Sequence, residues 1–126
     1  MSTYDTRFFM EHYYSNDKNV LVKTTRMIRN DKNKNISVIV LHEVYKLTLE
    51  KDGREVANLR VQLLEKDFKI VNVDSEIAKL SAEIRHKYKI PMADSIISAT
   101  AKKLNMPCIT DDPHITQIKE IKTKWI

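Results

Sequence analysis

The 126-residue sequence has few of the residues that form disulfides, linkers and loops. Its single cysteine, Cys108, excludes an intramolecular disulfide and favours a reducing compartment, so we expect a cytoplasmic protein. One glycine, Gly53, and three prolines leave few places for a flexible linker, and no internal repeat is present. Because the length is that of one ordinary domain, the sequence predicts a single domain over residues 1–126.

Long apolar runs are also missing from the sequence. No stretch approaches the ~18 consecutive apolar residues that a membrane-spanning helix requires. The first five residues, Met1–Asp5, lack the basic region and the apolar run that a signal peptide needs. We therefore expect the protein to have no membrane role.

Basic residues outnumber acidic ones, with 22 Lys and Arg against 17 Asp and Glu, which gives a formal net charge of +5. A basic surplus favours a polyanionic partner, because lysines and arginines that neutralise phosphates release condensed counterions. A solvated surface rich in Lys and Glu explains the same surplus, so the charge leaves both interpretations open. A hydrophobic content of 42% excludes intrinsic disorder.

Short runs rich in β-branched residues predict strands. Three of them are expected to be buried strands: Ile36–Val40, Lys69–Val73 and Pro107–Thr110. Two shorter strands are predicted near the chain ends, at Thr3–Tyr4 and Lys124–Ile126.

The segments between these strands have the apolar spacing of helices. Steps of three and four residues predict a surface helix through Ile77, Leu80, Ile84 and Tyr88, capped by Asp74 or Ser75. Two further helices are predicted, one between Val20 and Ile28 and one directly after Gly53. Strands separated by helices predict an α/β fold with a parallel sheet and helices on its faces.

Acidic residues follow the predicted strands. Asp5 follows the first strand, Glu43 comes a few residues after Ile36–Val40, and Asp111–Asp112 directly follow Pro107–Thr110. Ligands of an open parallel sheet bind beyond the carboxyl ends of its strands. Asp94 lies in the first turn of a helix that begins near Pro91, where the helix dipole favours an ionised carboxylate. We expect these acids to converge at one edge of the sheet.

Converging carboxylates predict a divalent cation, because in a partly buried cleft they repel one another unless a cation lies between them. Hard oxygen donors, without clustered cysteines or histidines at zinc spacing, favour one or two Mg²⁺ or Mn²⁺ ions. Taken singly, each acid also has a structural explanation. Asp5 could cap a helix, and Asp94 could complement a helix dipole. Asp112 could be a turn residue, and Glu43 could be a solvated residue of a helix. Their joint placement is what favours the metal site.

Four regions of the sequence resemble the signature regions of PIN domains, in order and spacing, over essentially the whole chain. They are Asp5-Thr6, Glu43, Met92–Ala101 and Thr110–Ile115, and the last two are the most specific. Among PIN proteins the sequence is most similar to the VapC-type toxins of prokaryotic toxin–antitoxin pairs.

The resemblance implies a three-layer α/β/α fold with a short central parallel sheet. It also implies a catalytic metal site, with Mg²⁺ or Mn²⁺ bound by Asp5, Glu43, Asp94 and Asp112, and with Thr6 and Thr110 in support. The implied activity is that of an endoribonuclease whose products carry 5′-phosphate and 3′-hydroxyl ends. The implied partners are an RNA substrate, an antitoxin protein and a second copy of the chain in a homodimer.

Three residues near the predicted site depart from the family pattern or leave a choice open. Arg7 stands where the family has a small polar residue, so its role is open. Asp111 competes with Asp112 as the fourth ligand, and the family spacing after Thr110 favours Asp112. His114 lies where the family has a packing or variable residue, so we expect it to be structural rather than catalytic.

Other interpretations follow from residue types alone. Cys108 is expected to be a buried apolar residue, and the aromatic residues Phe8, Phe9, Tyr13 and Tyr14 are expected either in the core or in an interface. The candidate contacts to RNA phosphate are Arg7, Lys46, Arg85, Lys102 and Lys103.

Two other function classes are considered. A PIN-fold module that binds RNA or protein without cutting remains the alternative. A phosphotransfer receiver domain needs acids in a different strand order and a Lys after the fifth strand, which this sequence does not provide.

Overall fold

The computed structural model describes residues 1–126 as five strands and seven helices. The strands are β1 (Ser2–Tyr4), β2 (Lys34–Ser37), β3 (Lys69–Val71), β4 (Cys108–Ile109) and β5 (Thr123–Lys124). The helices are α1 (Thr6–Tyr14), α2 (Lys18–Asn30), α3 (Val38–Asp52), α4 (Arg54–Asp67), α5 (Ser75–Tyr88), α6 (Met92–Leu104) and α7 (Pro113–Thr116). None of the helices is long and apolar enough to cross a bilayer.

The five strands form one parallel sheet in the order β3-β2-β1-β4-β5, which confirms the predicted α/β class. The chain runs outward from β1 to β3 and then returns to the other side of β1. With right-handed crossovers, this reversal places the helices of the early and late connections on opposite faces of the sheet. The reversal point lies between β1 and β4, where open α/β sheets bind their ligands.

The predicted strand Ile36–Val40 is wrong at its end, because β2 stops at Ser37 and α3 begins at Val38. The Ser37 hydroxyl accepts a hydrogen bond from the backbone N–H of Ile39 at 3.2 Å and caps the helix. A β-branched apolar run suits a buried helix start as well as a strand, and the cap decides between them. Glu43 therefore lies in the second turn of α3.

The prediction of a buried strand at Lys69–Val73 is also wrong in its length and its burial. It ends at Val71 and forms the edge of the sheet beside β2, with Lys69 exposed and Ile70 only partly buried. The predicted strand at the carboxyl end begins one residue earlier than expected, at Thr123. The helix through Ile77 is confirmed, and its cap is Asp74, which accepts from the Ile77 N–H at 2.8 Å.

The main core packs the sheet against helices from both the early and the late parts of the chain and contains a cluster of aromatic rings. Tyr4 of β1 meets Phe8 edge to face at 4.8 Å and Phe68 at 5.3 Å between ring centroids. Phe8 and Phe9 are completely buried, so they belong to the core and supply no interface, whereas Tyr13 is half-buried. Cys108 is buried in β4 as expected, and burial raises the pKa of its thiol.

Candidate metal centre

The site lies at the carboxyl ends of β1 and β4, where the strand order reverses. Asp5 directly follows β1, and Thr110 directly follows β4. These neighbouring strands are in register from Thr3 opposite Cys108 to Tyr4 opposite Ile109, so the two residues emerge side by side. The sheet therefore fixes this part of the site through its backbone ladder.

Asp5 is the buried member of the site, with 2% of its surface exposed. One carboxylate oxygen accepts from the Thr6 N–H at 2.7 Å, and the other accepts from the Thr110 hydroxyl at 2.6 Å. Burial raises the pKa of Asp5 to about 6; these two hydrogen bonds oppose the rise, and the charges of Asp94 and Asp112 add to it. Asp5 therefore keeps its proton more readily than an ordinary Asp until a cation is present.

Thr110 ties two of the acids together. Its hydroxyl donates to Asp5 and accepts from the backbone N–H of Asp112 at 3.0 Å. Thr6 has a comparable role on the other side of the site, because its hydroxyl donates to Glu43 Oε1 at 2.5 Å. The two threonines thus orient three of the four predicted acids.

Asp94 lies in the first turn of α6 and is half-buried. Burial raises the pKa of its carboxyl, the charge of Asp112 raises it further, and His114 acts in the opposite direction. The charge of Glu43 also contributes to the rise. Asp94 therefore experiences the negative potential of acids from α3 and from the start of α7.

The closest group of metal-binding atoms is made by Asp94, Asp112 and His114, whose ligand atoms all lie within 4.8 Å of one another. His114 Nδ1 is 3.1 Å from Asp94 Oδ2 and 3.4 Å from Asp112 Oδ1. Two carboxylates and one imidazole at this spacing fit a divalent cation such as Mn²⁺ or Mg²⁺. Asp5 and Glu43 lie outside this closest group.

His114 is the residue that sequence reasoning assigned to a structural role. It is half-exposed and makes both of its side-chain contacts with acids of the site. Asp112 caps α7 by accepting from the His114 backbone N–H at 2.9 Å, which turns the histidine back toward its own cap. The sequence feature that could have indicated this role is Asp112-Pro113-His114, in which an acid precedes a histidine by two residues at the start of a helix.

Asp111 and Asp112 face different partners. Asp111 accepts from Arg7 through both oxygens, at 3.1 Å from Nε and 3.2 Å from Nη2. Asp112 instead faces Asp94 and His114. The geometry therefore separates two neighbouring acids that the sequence could not distinguish by residue type.

The other candidate phosphate contacts are spread over the surface. Lys46 of α3 pairs with Glu50 at 2.8 Å and lies close enough to Glu43 for the two charges to interact. Lys102 and Lys103 lie in the last turn of α6, about 13 Å along the helix axis from Asp94. Lys103 pairs there with Asp74 and Glu76, while Arg85 donates to the Ile90 carbonyl at 3.3 Å.

The family model of the PIN domain matches residues 4–121 of the chain. No curated protein matches its sequence. Several solved structures share the fold over nearly their whole length. The VapBC2 complex from Rickettsia felis, bound to a DNA fragment from its promoter, has a TM-score of 0.80 at 14% identity, covering 99% of this chain and 98% of that one.

Two further structures show the same likeness. A toxin–antitoxin complex from Klebsiella pneumoniae has a TM-score of 0.76 at 22% identity, with 100% of each chain covered. VapC20 from Mycobacterium tuberculosis, described as a toxin that cleaves the sarcin-ricin loop, has a TM-score of 0.75 at 17% identity, covering 97% of this chain and 99% of that one. At these identities the likeness shows the fold.

Proposed function

The chain belongs to the PIN-domain family, and we propose that it is a divalent-metal-dependent endoribonuclease, the toxin of a VapBC-type toxin–antitoxin pair. The observation that carries this proposal is the approach of Asp94, Asp112 and His114 to within 4.8 Å at the end of the parallel sheet. Such a donor set suits a hard or borderline divalent cation, and PIN-family membership supports phosphodiester hydrolysis as the reaction.

We propose that Asp94 and Asp112 bind the ion directly, with Asp5 and Glu43 completing the acidic site. A bound Mg²⁺ or Mn²⁺ would supply Lewis-acid activation of water and neutralise charge on the phosphodiester. Within the chain, Thr110 and Thr6 orient Asp5 and Glu43 through their hydroxyls, and Asp5 contributes negative charge from a buried position. His114 is placed to be a third ligand or to exchange a proton with Asp94.

The proposed partners are an RNA substrate and an antitoxin. The net charge of +5 supports a polyanionic substrate, and the similar structures from Rickettsia felis and Klebsiella pneumoniae are complexes with antitoxins by description. We also propose a homodimer, which sedimentation at several protein concentrations would test. The single cysteine is consistent with action in the cytoplasm, where RNA is available.

We further propose that residues 1–126 form a single domain. The sheet runs from Ser2 to Lys124, and the main core joins residues of β1, β2, β4 and of the helices beside them. Such a chain should unfold in one cooperative transition, seen at the same denaturant concentration by circular dichroism and by Trp125 fluorescence. Two separated transitions would contradict a single domain.

The nuclease is tested by cleavage of labelled single-stranded RNA with Mg²⁺ or Mn²⁺. We expect cutting that stops with EDTA and falls by at least about 100-fold in Asp94→Asn, since that variant removes a charged ligand. Asp67→Asn, an exposed acid at the end of α4, is the matched control and should cut like the parent chain. Metal-independent cutting would reject the metal site, and RNA binding without cutting would favour the non-catalytic module.

A further inference from the structure

Arg7 is fixed at the rim of the acidic site. Its Nε and Nη2 atoms donate to the two carboxylate oxygens of Asp111 at 3.1 and 3.2 Å, and Glu11 lies 3.7 Å from Nη2. Arg7 follows Asp5 by two residues, and the negative charge of Asp5 acts on its guanidinium. Asp111 directly precedes Asp112, so the ion pair joins the two segments that bear the acids after β1 and β4.

The edge of this guanidinium at Nη1 has no hydrogen-bond partner, and Glu11 approaches only the neighbouring Nη2, at 3.7 Å. Arginine carries five N–H donors in a plane, and the contact with Asp111 uses two of them. The Nη1 atom makes no hydrogen bond within the chain, and 47% of the side chain is exposed. Because the carboxylate of Asp111 grips the opposite edge, the free edge is held in a defined direction. A planar edge with several donors matches the oxygens of a phosphate.

An RNA backbone that approaches this site meets several carboxylates, so a nearby cation offsets part of their repulsion. The other candidate cations are less suited to this task. Lys46 is an exposed point charge on a flexible stem, and Lys103 lies at the far end of α6. Arg7 is the one whose contacts lie within the segments that bear Asp5 and Asp112.

We propose that Arg7 binds a phosphate of single-stranded RNA beside the metal centre and so determines where the backbone lies relative to the acids. The assignment rests on the proposed ribonuclease function. It concerns RNA binding and not the chemical step, so it can be measured without cleavage.

The test uses an Asp94→Asn background, in which we expect cutting to fall by at least about 100-fold, and it measures fluorescence anisotropy of a labelled single-stranded RNA over a series of salt concentrations. Arg7→Ala should weaken binding about tenfold, as expected for the loss of a charged hydrogen bond. The slope of log K against log salt should become shallower by about 0.7, the value for one phosphate contact on a single strand. Arg7→Lys should keep the slope and recover part of the affinity, because it retains the charge but not the planar edge.

Two matched variants separate phosphate binding from other roles. Lys103→Ala removes an ion-paired cation at the far end of α6 and should leave the salt slope within error of the parent. Asp111→Asn breaks the same ion pair as Arg7→Ala but leaves the cation, so it can loosen Arg7 and change the affinity but should keep the parent's salt slope. If Asp111→Asn lowers the slope as much as Arg7→Ala, the ion pair has only a structural role and the proposal is overturned.

The remaining outcomes distinguish this assignment from the function on which it rests. If the parent chain binds and cuts RNA but Arg7→Ala binds with the parent's affinity and slope, the Arg7 assignment alone is overturned. If Arg7→Ala and Lys103→Ala lower the slope equally, binding is non-specific and the assignment is again overturned. If the parent chain neither binds nor cuts any RNA, the proposed function itself fails, and the Arg7 assignment fails with it.

Discussion

The Nδ1 atom of His114 lies 3.1 Å from Oδ2 of Asp94, so the imidazole joins the start of α7 to the first turn of α6. The same atom is 3.4 Å from Asp112 Oδ1, which places one nitrogen beside two carboxylates. In the free chain this nitrogen relieves part of the repulsion between the acids. An imidazole nitrogen at this position can serve as a metal ligand, so the choice of metal should depend on it.

The first prediction concerns metal preference. Imidazole nitrogen binds Mn²⁺ more readily than Mg²⁺, which prefers oxygen ligands. His114→Ala should therefore weaken Mn²⁺ binding by about 10-fold or more and change Mg²⁺ binding much less, within the range known for changes near metal ligands. Calorimetric titration of each metal measures the ratio of the two dissociation constants.

The control for this change is His86→Ala, because His86 is an exposed histidine in the last turn of α5. It should leave both dissociation constants unchanged. An unaltered Mn²⁺ to Mg²⁺ ratio in His114→Ala would show that the imidazole only fills the space between Asp94 and Asp112.

The second prediction concerns the pH dependence of stability without metal. Burial raises the pKa of Asp5 from 3.8 to about 6. A raised folded-state pKa favours the protonated carboxyl, so its stability contribution is fully present below pH 3.8 and is lost as the pH rises through about 6. Asp5→Asn stays neutral throughout, and at pH ~7 it should exceed the parent in unfolding free energy by on the order of 1–3 kcal/mol.

Urea unfolding with EDTA across this pH range measures the difference between Asp5→Asn and the parent. The gap should shrink toward pH ~4, where Asp5 of the parent is itself protonated in the folded chain. With saturating Mn²⁺ the parent should become more stable than Asp5→Asn, because only the parent keeps all the acids of the site and gains the full stabilisation from metal binding. A gap that does not vary with pH would contradict a raised pKa at Asp5.

The third prediction concerns the hydroxyl of Thr110. It donates to the buried carboxylate of Asp5 and accepts from the Asp112 N–H, so its loss leaves two polar groups with one partner fewer. Thr110→Val should lower the unfolding free energy at neutral pH by ~1–3 kcal/mol, while Thr110→Ser, which keeps the hydroxyl, should cost less than half as much. A loss in Thr110→Ser as large as that in Thr110→Val would contradict the prediction, because it would show that the methyl group contributes as much as the hydroxyl.

The parallel sheet and the placement of Asp5 and Asp112 beyond its strand ends could be predicted from the sequence for a physical reason. Strands separated by helices must run parallel, and parallel strands bring their carboxyl ends to one edge. The end of β2 could not be predicted in this way, because the apolar, β-branched run after Ser37 suits either a strand or the start of a buried helix. The cap hydrogen bond of Ser37 decides it, and that bond is visible only in three dimensions.

The contacts that complete the site were also beyond sequence reasoning. Arg7 and Asp111 lie 104 positions apart, so no local pattern links them. His114 enters the site because the short helix α7 turns its ring toward Asp94, a direction that depends on how α7 packs against α6. Residue type and spacing thus identified acids at strand ends, whereas side-chain direction identified their partners.

The fourth prediction concerns acid sensitivity away from the site. Burial lowers the pKa of His12, and the charge of Arg60 lowers it further. The Thr24 hydroxyl donates to the Leu21 carbonyl at 3.1 Å, so His12 Nδ1, 2.8 Å from that hydroxyl, is the donor between them. A lowered folded-state pKa favours the neutral ring, so its stability contribution is present above pH ~6.5 and is lost as the pH falls through the folded-state value.

Replacing His12 by Gln should therefore remove part of the acid sensitivity. The parent should lose more melting temperature than His12→Gln between pH ~7 and ~5, even if the variant starts lower. The exposed His86→Gln should keep the parent's slope. Asp5 acts with the opposite sign in the same pH range, but it does so in both proteins, so the test is the difference between their slopes. Parallel slopes for the parent and His12→Gln would show that the folded chain does not hold His12 neutral.

The last prediction concerns Gly53, the single residue between α3 and α4. Its backbone has φ +86° and ψ 176°, a region that is essentially restricted to glycine. A methyl group there would meet no other atom within 4 Å, so any cost of Gly53→Ala comes from the backbone and not from a clash. We expect a loss of ~1–3 kcal/mol in unfolding free energy.

The contrasting variant is Lys89→Gly, because Lys89 ends α5 in a left-handed conformation at φ +57° that glycine adopts without strain. It should be neutral or stabilising, opposite in sign to Gly53→Ala. Since α3 bears Glu43 and packs against α4, Gly53→Ala should also weaken metal binding if the angle between these helices positions the carboxylate. Loss of stability with unchanged metal affinity would instead mean that Thr6 alone, through its bond to Glu43, is enough to hold that acid in place.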